Sequence, residues 1–222
     1  MIKHTVNYFI FSSTAAVYGE PKKVPITEDQ ELKPINPYGE SKFMVEKILE
    51  DYAKAYDLKY NSFRYFNASG TDDSGKIGER HKPETHLIPL VLKTALGERN
   101  NIYIFGTDYN TRDGSCIRDF VHVNDLAQVH MKGVERLFNG KESEVFNLGT
   151  GKGDSVKEII DTAKEITGID FKVEETDRRP GDPAMLIADS SKARKILNWN
   201  PQYNLYDIIK TAWNWHKIDS KK

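Results

Sequence analysis

The feature of this sequence that most constrains its fold is a strand, a helix and a second strand in succession. Residues 8–11 (Tyr-Phe-Ile-Phe) form a continuous apolar run, which is typical of a parallel strand buried on both faces. Apolar side chains then recur at helical spacing over residues 38–56, directly after Pro37, and residues 61–67 return as a strand. This order is the βαβ unit of a doubly wound sheet. The sequence therefore predicts an α/β fold with a parallel sheet.

The remainder of the chain alternates shorter helices and strands. Because the first strand starts only a few residues into the chain, we expect a partial, Rossmann-like sheet that lacks its first strands. We assign residues 1–72 to this sheet domain and residues 73–222 to a smaller α/β carboxyl-terminal domain, with some segments returning to the sheet. Predicted helices cover 85–96, 124–138 (capped by Asn124), 155–168, 190–197 and a stretch ahead of Trp213 and Trp215, and predicted strands cover 102–105, 144–148, 171–174 and 185–188.

Composition excludes several classes of function. Lys and Arg total 32 against 33 Asp and Glu, so no broad positive field attracts nucleic acid or anionic lipid. The only cysteine, Cys116, predicts a chain without disulfides in a reducing, cytoplasmic compartment. The apolar runs fall short of the ~20 residues that span a bilayer. We expect no membrane span, and no metal site is evident.

Tyr38 and Lys42 are the candidate reacting pair. They lie four residues apart, hence on one face of the predicted helix. A free phenol has a pKa near 10, and a nearby fixed cation favours the phenolate, which can then exchange a proton with a substrate hydroxyl. Such a pair is also common on protein surfaces, so it is not specific by itself.

A cluster of hydroxyl groups adds context to this pair. Residues 12–14 (Ser-Ser-Thr) close the first predicted strand, at the edge of a doubly wound sheet where ligands usually bind. A hydroxyl there can hydrogen-bond the oxygen that Tyr38 deprotonates, although such clusters are also ordinary loop openings. Hydroxyl, Tyr and Lys together resemble the catalytic triad of the short-chain dehydrogenase/reductases.

Four longer strings carry a more specific resemblance. They are residues 11–19 (FSSTAAVYG), 37–42 (PYGESK), 64–67 (RYFN) and 113–123 (DGSCIRDFVHV). They resemble the UDP-glucose 4-epimerase family of extended short-chain dehydrogenase/reductases, and the resemblance covers essentially the whole chain. It implies an isomerase of galactose metabolism that oxidises C4 of UDP-glucose or UDP-galactose with bound NAD and returns the hydride to the opposite face.

The resemblance also implies roles for individual residues. Tyr38 is the implied base, Lys42 holds the nicotinamide ribose, and Thr14 assists proton transfer. Ser12 and the backbone around Phe66 are implied cofactor contacts. The implied UDP-sugar contacts in the carboxyl-terminal substrate domain and beside it are Asn67, Arg118 and Arg179 for the diphosphate, Asp182 for the ribose, Tyr103 and Phe105 for the uracil, His86 and Leu87 for the sugar phosphate, together with Tyr65, Thr14 and Leu186. Leu186 occupies the place that limits space beside the hexose C2 substituent, which predicts weak acceptance of N-acetylated sugars.

One glycine-rich segment imitates a cofactor loop. Residues 149–153 (Gly-Thr-Gly-Lys-Gly) follow a predicted strand and precede a helix, but Asp154 stands where the third glycine of G-x-G-x-x-G belongs. We interpret this segment as a tight turn. The resemblance therefore predicts an amino-terminally truncated polypeptide that holds no NAD tightly, is of uncertain activity alone and is a homodimer when full length.

Two other interpretations remain open at this point. A nucleotide-sugar 4,6-dehydratase shares the Tyr and Lys, but that family has Asp-Glu after the catalytic Thr, and here Ala15 and Ala16 stand there. A non-catalytic remnant would keep the motifs without the activity.

Overall fold

The computed structural model describes residues 1–220, which divide into two units. The first unit comprises residues 1–66, 125–151 and 186–201, and the second comprises residues 67–124, 152–185 and those from Gln202 onward. Residues 67–72, which the sequence analysis assigns to the first domain, lie in the second unit. They do so because Asn67–Ser69 forms a strand that pairs with Phe120–His122.

The secondary structure follows the predicted α/β alternation. Within residues 1–220 the α-helices are α1 (Pro37–Ala55), α2 (Leu87–Ala95), α3 (Val123–Phe138), α4 (Val156–Thr167), α5 (Ser191–Leu197) and α6 (Leu205–Asp219). The strands are β1 (Tyr8–Thr14), β2 (Lys59–Tyr65), β3 (Asn67–Ser69), β4 (Ile102–Phe105), β5 (Ile117–Arg118), β6 (Phe120–His122), β7 (Glu144–Leu148), β8 (Asp154–Ser155), β9 (Val173–Thr176) and β10 (Met185–Leu186). Short 3₁₀ helices cover Ile2–His4 and Ala15–Tyr18. No helix among the described residues combines the length and apolarity that crossing a bilayer requires.

The first unit is organised around a parallel sheet in the order β1, β2, β7. Helix α1 connects β1 to β2, so the predicted βαβ unit is confirmed. Phe63 of β2 and Phe146 of β7 are neighbours in register and are fully buried, with ring centroids 5.9 Å apart. Two predicted boundaries are wrong. Residues 12–14 lie within β1 because they pair with β2, and the strand predicted at 61–67 is divided between β2 and β3.

Helix α1 begins where the sequence places it, for two local reasons. Asn36 caps it by accepting a hydrogen bond from the backbone N of Gly39 at 2.8 Å, and Pro37 occupies the first turn. Gly39 also permits close packing, because a Cβ there would lie 2.6 Å from the backbone oxygen of Ala16. The start of α1, and with it Tyr38, is therefore held against the turn that follows β1.

The second unit has its own hydrophobic core. Helices α2, α4 and α6 surround a cluster of buried residues that includes Leu92, Ile104, Phe120, Ile159 and Ile209. Strand β4 pairs in parallel with β9, β3 pairs in parallel with β6, and β5 pairs antiparallel with β8. These short pairs bring loops from distant parts of the unit together, and those loops carry most of the predicted substrate contacts.

Helix α4 confirms the capping box predicted from the sequence. The Ser155 hydroxyl accepts from the backbone N of Glu158 at 3.1 Å, and the Glu158 carboxylate accepts from the backbone N of Ser155 at 2.8 Å. The helix ends at Gly168, whose φ of 68° is the left-handed conformation that glycine adopts without strain.

Two helix predictions are wrong in detail. Helix α3 begins one residue before Asn124, whose side-chain amide instead donates to Asp73 Oδ2 at 3.1 Å and to the Tyr203 hydroxyl at 3.2 Å. The last helix does not stop ahead of Trp213 and Trp215 but contains both, since they are buried against the core.

Candidate functional site

Tyr38 and Lys42 lie on one face of α1 in the first unit. The Lys42 Nζ lies 5.8 Å from the Tyr38 ring centroid and donates a hydrogen bond to the backbone oxygen of Ser12 at 3.0 Å. The same Nζ lies 5.2 Å from the Phe11 ring centroid. The ammonium is thus fixed at the carboxyl half of β1, while the Tyr38 side chain is exposed. The arrangement places a phenol that a ligand can reach beside an immobilised cation.

Thr14 ends β1 at the same edge of the sheet. It is buried, and its Oγ1 accepts from the backbone N of Ala16 at 3.2 Å, which caps the 3₁₀ turn that follows. In the parallel register Thr14 faces Tyr65, and Tyr65 faces Leu148. The carboxyl ends of three strands therefore meet around the Thr14 hydroxyl.

The side chain and the backbone carbonyl group of Ser12 contact different residues. Its Oγ lies 3.2 Å from His130 Nε2, and His130 Nδ1 lies 2.7 Å from the backbone oxygen of Leu126. Because a carbonyl oxygen can only accept, Nδ1 donates to it, and in a neutral ring Nε2 then accepts from the Ser12 hydroxyl. Ser12 thus reaches Lys42 through its carbonyl group and α3 through its hydroxyl group.

A buried ion pair lies one helical turn beyond Lys42. Glu46 accepts from Arg64 Nε at 3.0 Å and from Arg64 Nη2 at 2.5 Å. It also accepts from the hydroxyls of Ser13 at 2.6 Å and of Ser62 at 3.1 Å. The two charged side chains are 7% and 5% exposed, so a single carboxylate ties α1 to both β1 and β2.

Arg64 continues this network to strand β7. Its Nη1 donates to the Tyr18 hydroxyl at 2.9 Å, and that hydroxyl donates to Asn147 Oδ1 at 2.7 Å. Burial raises the pKa of Tyr18, although the Arg64 charge partly offsets it. Burial alone would lower the pKa of Arg64, but hydrogen bonding to Glu46 leaves that pKa raised. This network was not predicted from the sequence, where its signal was Glu46, which lies on the helix face that carries Lys42.

The second unit brings predicted nucleotide contacts together in pairs. Arg118 Nη2 donates to Asp182 Oδ1 at 3.2 Å. The guanidinium carbon of Arg179 lies 3.7 Å from the Phe105 ring centroid, a cation–π contact, and the Tyr103 and Phe105 centroids are 6.1 Å apart. The unit therefore carries a guanidinium beside a carboxylate and another guanidinium beside two aromatic rings.

Asn67 is held beside Arg118 by backbone contacts. Its side-chain amide donates to the backbone oxygen of Asp119 at 2.9 Å, and its backbone N donates to the same oxygen at 3.1 Å. This double contact sets the start of β3 against the segment that follows Arg118.

His86 and Leu87 lie at the start of α2. His86 is the N-cap residue without a side-chain cap bond, and Leu87 is the first helical residue. His86 Nδ1 lies 2.7 Å from Glu79 Oε1 and 3.1 Å from Glu84 Oε1. The predicted sugar-phosphate contact is therefore surrounded by two carboxylates that the sequence analysis did not consider.

Phe66 and Leu186 are partly buried side chains of the first unit. Both pack against a buried cluster formed by Val17, Tyr18 and Ile26. The cluster lies beside the turn after β1. Each side chain is thus close to the elements that carry Thr14 and Tyr38.

Comparisons with known proteins agree with the motifs. The family described as GDP-mannose 4,6 dehydratase matches residues 2–212. A UDP-glucose 4-epimerase of Halalkalibacterium halodurans is 52% identical over 218 residues, which cover 98% of this chain and 65% of that protein. The chain thus spans about two thirds of that relative's length.

Solved structures match equally well. A crystal structure of a UDP-glucose 4-epimerase superposes with a TM-score of 0.96 at 52% identity, covering 98% of this chain and 67% of the other. The UDP-glucose 4-epimerase of Bifidobacterium longum, in complex with NAD+ and UDP, has a TM-score of 0.90 at 40% identity and covers 98% and 66%. On these matches and on the Tyr38–Lys42 arrangement, the chain belongs to the UDP-glucose 4-epimerase family, within the broader family described as GDP-mannose 4,6 dehydratase.

Proposed function

We propose that this chain provides the proton-transfer group and the UDP contacts of an enzyme that interconverts UDP-glucose and UDP-galactose at C4. The observation that carries the proposal is the Lys42 ammonium, fixed on the Ser12 carbonyl oxygen beside the exposed Tyr38 phenol. Its relatives at about half sequence identity are UDP-glucose 4-epimerases. The same comparisons support NAD as the cofactor, since the B. longum epimerase is described in complex with NAD+ and UDP.

In this proposal Tyr38 moves the proton of the C4 hydroxyl. The phenolate oxygen accepts that proton, the nearby ammonium favours the charged form of the phenol, and Thr14 hydrogen-bonds the same substrate oxygen. Positioning comes from α1, which Gly39 and Glu46 hold against the strands. When bound, NAD would supply the acceptor and donor of the C4 hydride.

The residues that would hold the nicotinamide fit such a cofactor. An ammonium offers three donors, and the bond to Ser12 uses one of them, so Lys42 can also hold ribose hydroxyls. Ser12 and the Phe66 backbone are further proposed cofactor contacts. Residues 149–153 do not fit the cofactor phosphates, because Asp154 replaces the glycine that a dinucleotide loop needs there.

The second unit provides the proposed UDP contacts. Arg118 and Arg179 present planar cations that match phosphate oxygens bidentately. The remaining proposed contacts are Asn67 for the diphosphate, Asp182 for the ribose, Tyr103 and Phe105 for the uracil, and His86 and Leu87 for the sugar phosphate. In the first unit Tyr65 and Leu186 would limit the sugar, and a preference set by pocket size alone is modest, about 1–3 kcal/mol.

A 4,6-dehydratase is the second candidate, because the family match carries a dehydratase description. Elimination of water needs an acid and a base near the sugar. Ala15 and Ala16, in the turn after Thr14, cannot supply them. The epimerase is therefore the better-supported candidate. The homodimer and the cytoplasmic location stay predictions.

The test uses a hybrid that restores full family length. The amino-terminal part of the H. halodurans epimerase, up to the aligned region, is fused to this chain, and the product formed from UDP-galactose with NAD is identified. We expect UDP-glucose. A 4-keto-6-deoxy sugar nucleotide would instead establish the dehydratase, and an inactive hybrid that binds both NAD and UDP would favour a non-catalytic remnant.

A further inference from the structure

Three potential metal ligands converge in the loop ahead of α2, in the second unit. Glu79 Oε1 lies 3.2 Å from His81 Nε2 and 2.7 Å from His86 Nδ1. One ligand atom from each of the three residues lies within 4.8 Å of the others. We call Glu79, His81 and His86 the loop triad.

The beginning of this loop is anchored to helix α6. A Cβ at Gly78 would lie 2.2 Å from the Trp215 ring, so the backbone next to Glu79 is in close contact with that indole. The Arg80 guanidinium carbon lies 6.0 Å from the same ring centroid, and Arg80 pairs with Asp219. Glu79 is therefore held between two anchored neighbours, and the nearest cation in the sequence is engaged with another carboxylate.

The end of the loop is ordered by a buried carboxylate. Glu84 Oε1 accepts from the backbone N atoms of Thr85 and His86, each at 2.8 Å. The Glu84 side chain is only 4% exposed. These bonds set the backbone from which the His86 ring extends into the loop triad.

The second oxygen of the Glu84 carboxylate lacks a hydrogen-bond partner within residues 1–220. Glu84 Oε2 is buried and has no hydrogen-bond partner among the described residues, which costs free energy. Glu79 Oε1 lies 2.7 Å and Glu84 Oε1 3.1 Å from the same nitrogen, His86 Nδ1, so a cation bound there would offset the negative charge of both carboxylates.

We propose that the loop triad binds a divalent transition-metal ion, with Zn²⁺ the ion that it matches best. Two imidazole nitrogens and one carboxylate oxygen are the ligand set of many three-residue zinc sites, in which a water takes the fourth position. Ligands about 2.1 Å from an ion in tetrahedral geometry lie about 3.4 Å from one another. The separation between Glu79 Oε1 and His81 Nε2, 3.2 Å, is already close to that value. The proposed epimerase chemistry uses His86 of the loop triad as a sugar-phosphate contact and requires no metal ion there.

The experiment is a calorimetric titration of the purified chain with zinc chloride near neutral pH. No nucleotide is present, because His86 is also a proposed substrate contact, so the result does not depend on the proposed function. We expect saturable binding of one zinc ion per chain. His81→Ala removes a ligand whose side chain is 54% exposed, so folding should persist while affinity falls at least about tenfold.

Two further variants separate a site from adventitious binding. His4→Ala removes an exposed histidine elsewhere in the chain and should leave zinc affinity unchanged. Glu79→Gln keeps the shape of the side chain and removes its charge, and should weaken binding as His81→Ala does. Zinc should also raise the thermal midpoint of the wild type and not that of His81→Ala. Equal affinity in the wild type and His81→Ala, or no saturable binding, would overturn the proposal.

Discussion

The Glu46–Arg64 pair of the first unit is buried and multiply bonded, whereas the Arg118–Asp182 pair among the proposed ligand contacts of the second unit lies nearer the surface and has a single bond. Glu46 and Arg64 are 7% and 5% exposed. Asp182, which pairs with Arg118 through a single bond, is 36% exposed. We infer that the two kinds of pair serve different purposes. The buried pair holds α1, and with it Tyr38, in a fixed position for proton transfer, whereas the exposed pair can exchange its partner for a flexible diphosphate.

The buried and the exposed ion pair differ in the free energy that is lost when one partner is removed. A buried charge is tolerated only when all its bonds are satisfied, and removing one partner costs about 3–5 kcal/mol. An exposed pair contributes about 0–1 kcal/mol. Contacts of the second kind exchange easily for a ligand's phosphate or hydroxyl groups, whereas contacts of the first kind do not.

Glu46→Ala tests the buried pair of the first unit and should have the largest effect on stability. Arg64 would be left buried without its counter-charge, so we expect the free energy of unfolding to fall by about 3–5 kcal/mol. Urea titration followed by circular dichroism measures it. Glu50→Ala is the matched control, because Glu50 lies one turn further along α1 and pairs with Lys47 and Lys54 at the surface. Similar small losses in the two variants would remove the distinction between the units.

Asp182→Ala tests the partly exposed pair of the second unit and should have the smallest effect on stability. The pair with Arg118 has one bond and a partly exposed carboxylate, so we expect a loss below about 1 kcal/mol in the same urea titration. A loss comparable to that of Glu46→Ala would mean that the pair is structural, and that Asp182 is poorly suited to exchange its partner for a ribose.

Local sequence patterns predicted the parts of this molecule that depend on neighbouring residues. The βαβ unit was predicted from the spacing of apolar residues, and the capping box from the three-residue spacing of Ser155 and Glu158. The structure confirms both. The two-residue strands β5 and β8 were not predicted, because they pair with each other across about 37 positions of the chain, and β5 also pairs with β10. Asn124 carries a capping side chain, but its tertiary bond to Tyr203 prevails over that preference.

The candidate site also contains some residues that local spacing predicts and others that only tertiary packing brings together. Tyr38 and Lys42 were identified as a pair because helical spacing alone places them on one face. The Glu46–Arg64 pair requires the packing of α1 on β2, and the loop triad requires the path of a loop, so neither follows from spacing. The roles assigned to individual substrate contacts came from the family resemblance and stay proposals.

The most direct test of the central claim is Tyr38→Phe in the hybrid enzyme, with Tyr52→Phe as its control. Both tyrosines are exposed on α1, but only Tyr38 lies next to Lys42 at the carboxyl end of β1. With UDP-galactose as substrate, we predict that Tyr38→Phe lowers kcat by about 10²–10⁴-fold, since it removes general acid–base transfer and leaves UDP binding intact. Tyr52→Phe should turn over as the parent hybrid does. A Tyr38→Phe variant with near-parental kcat would contradict the account.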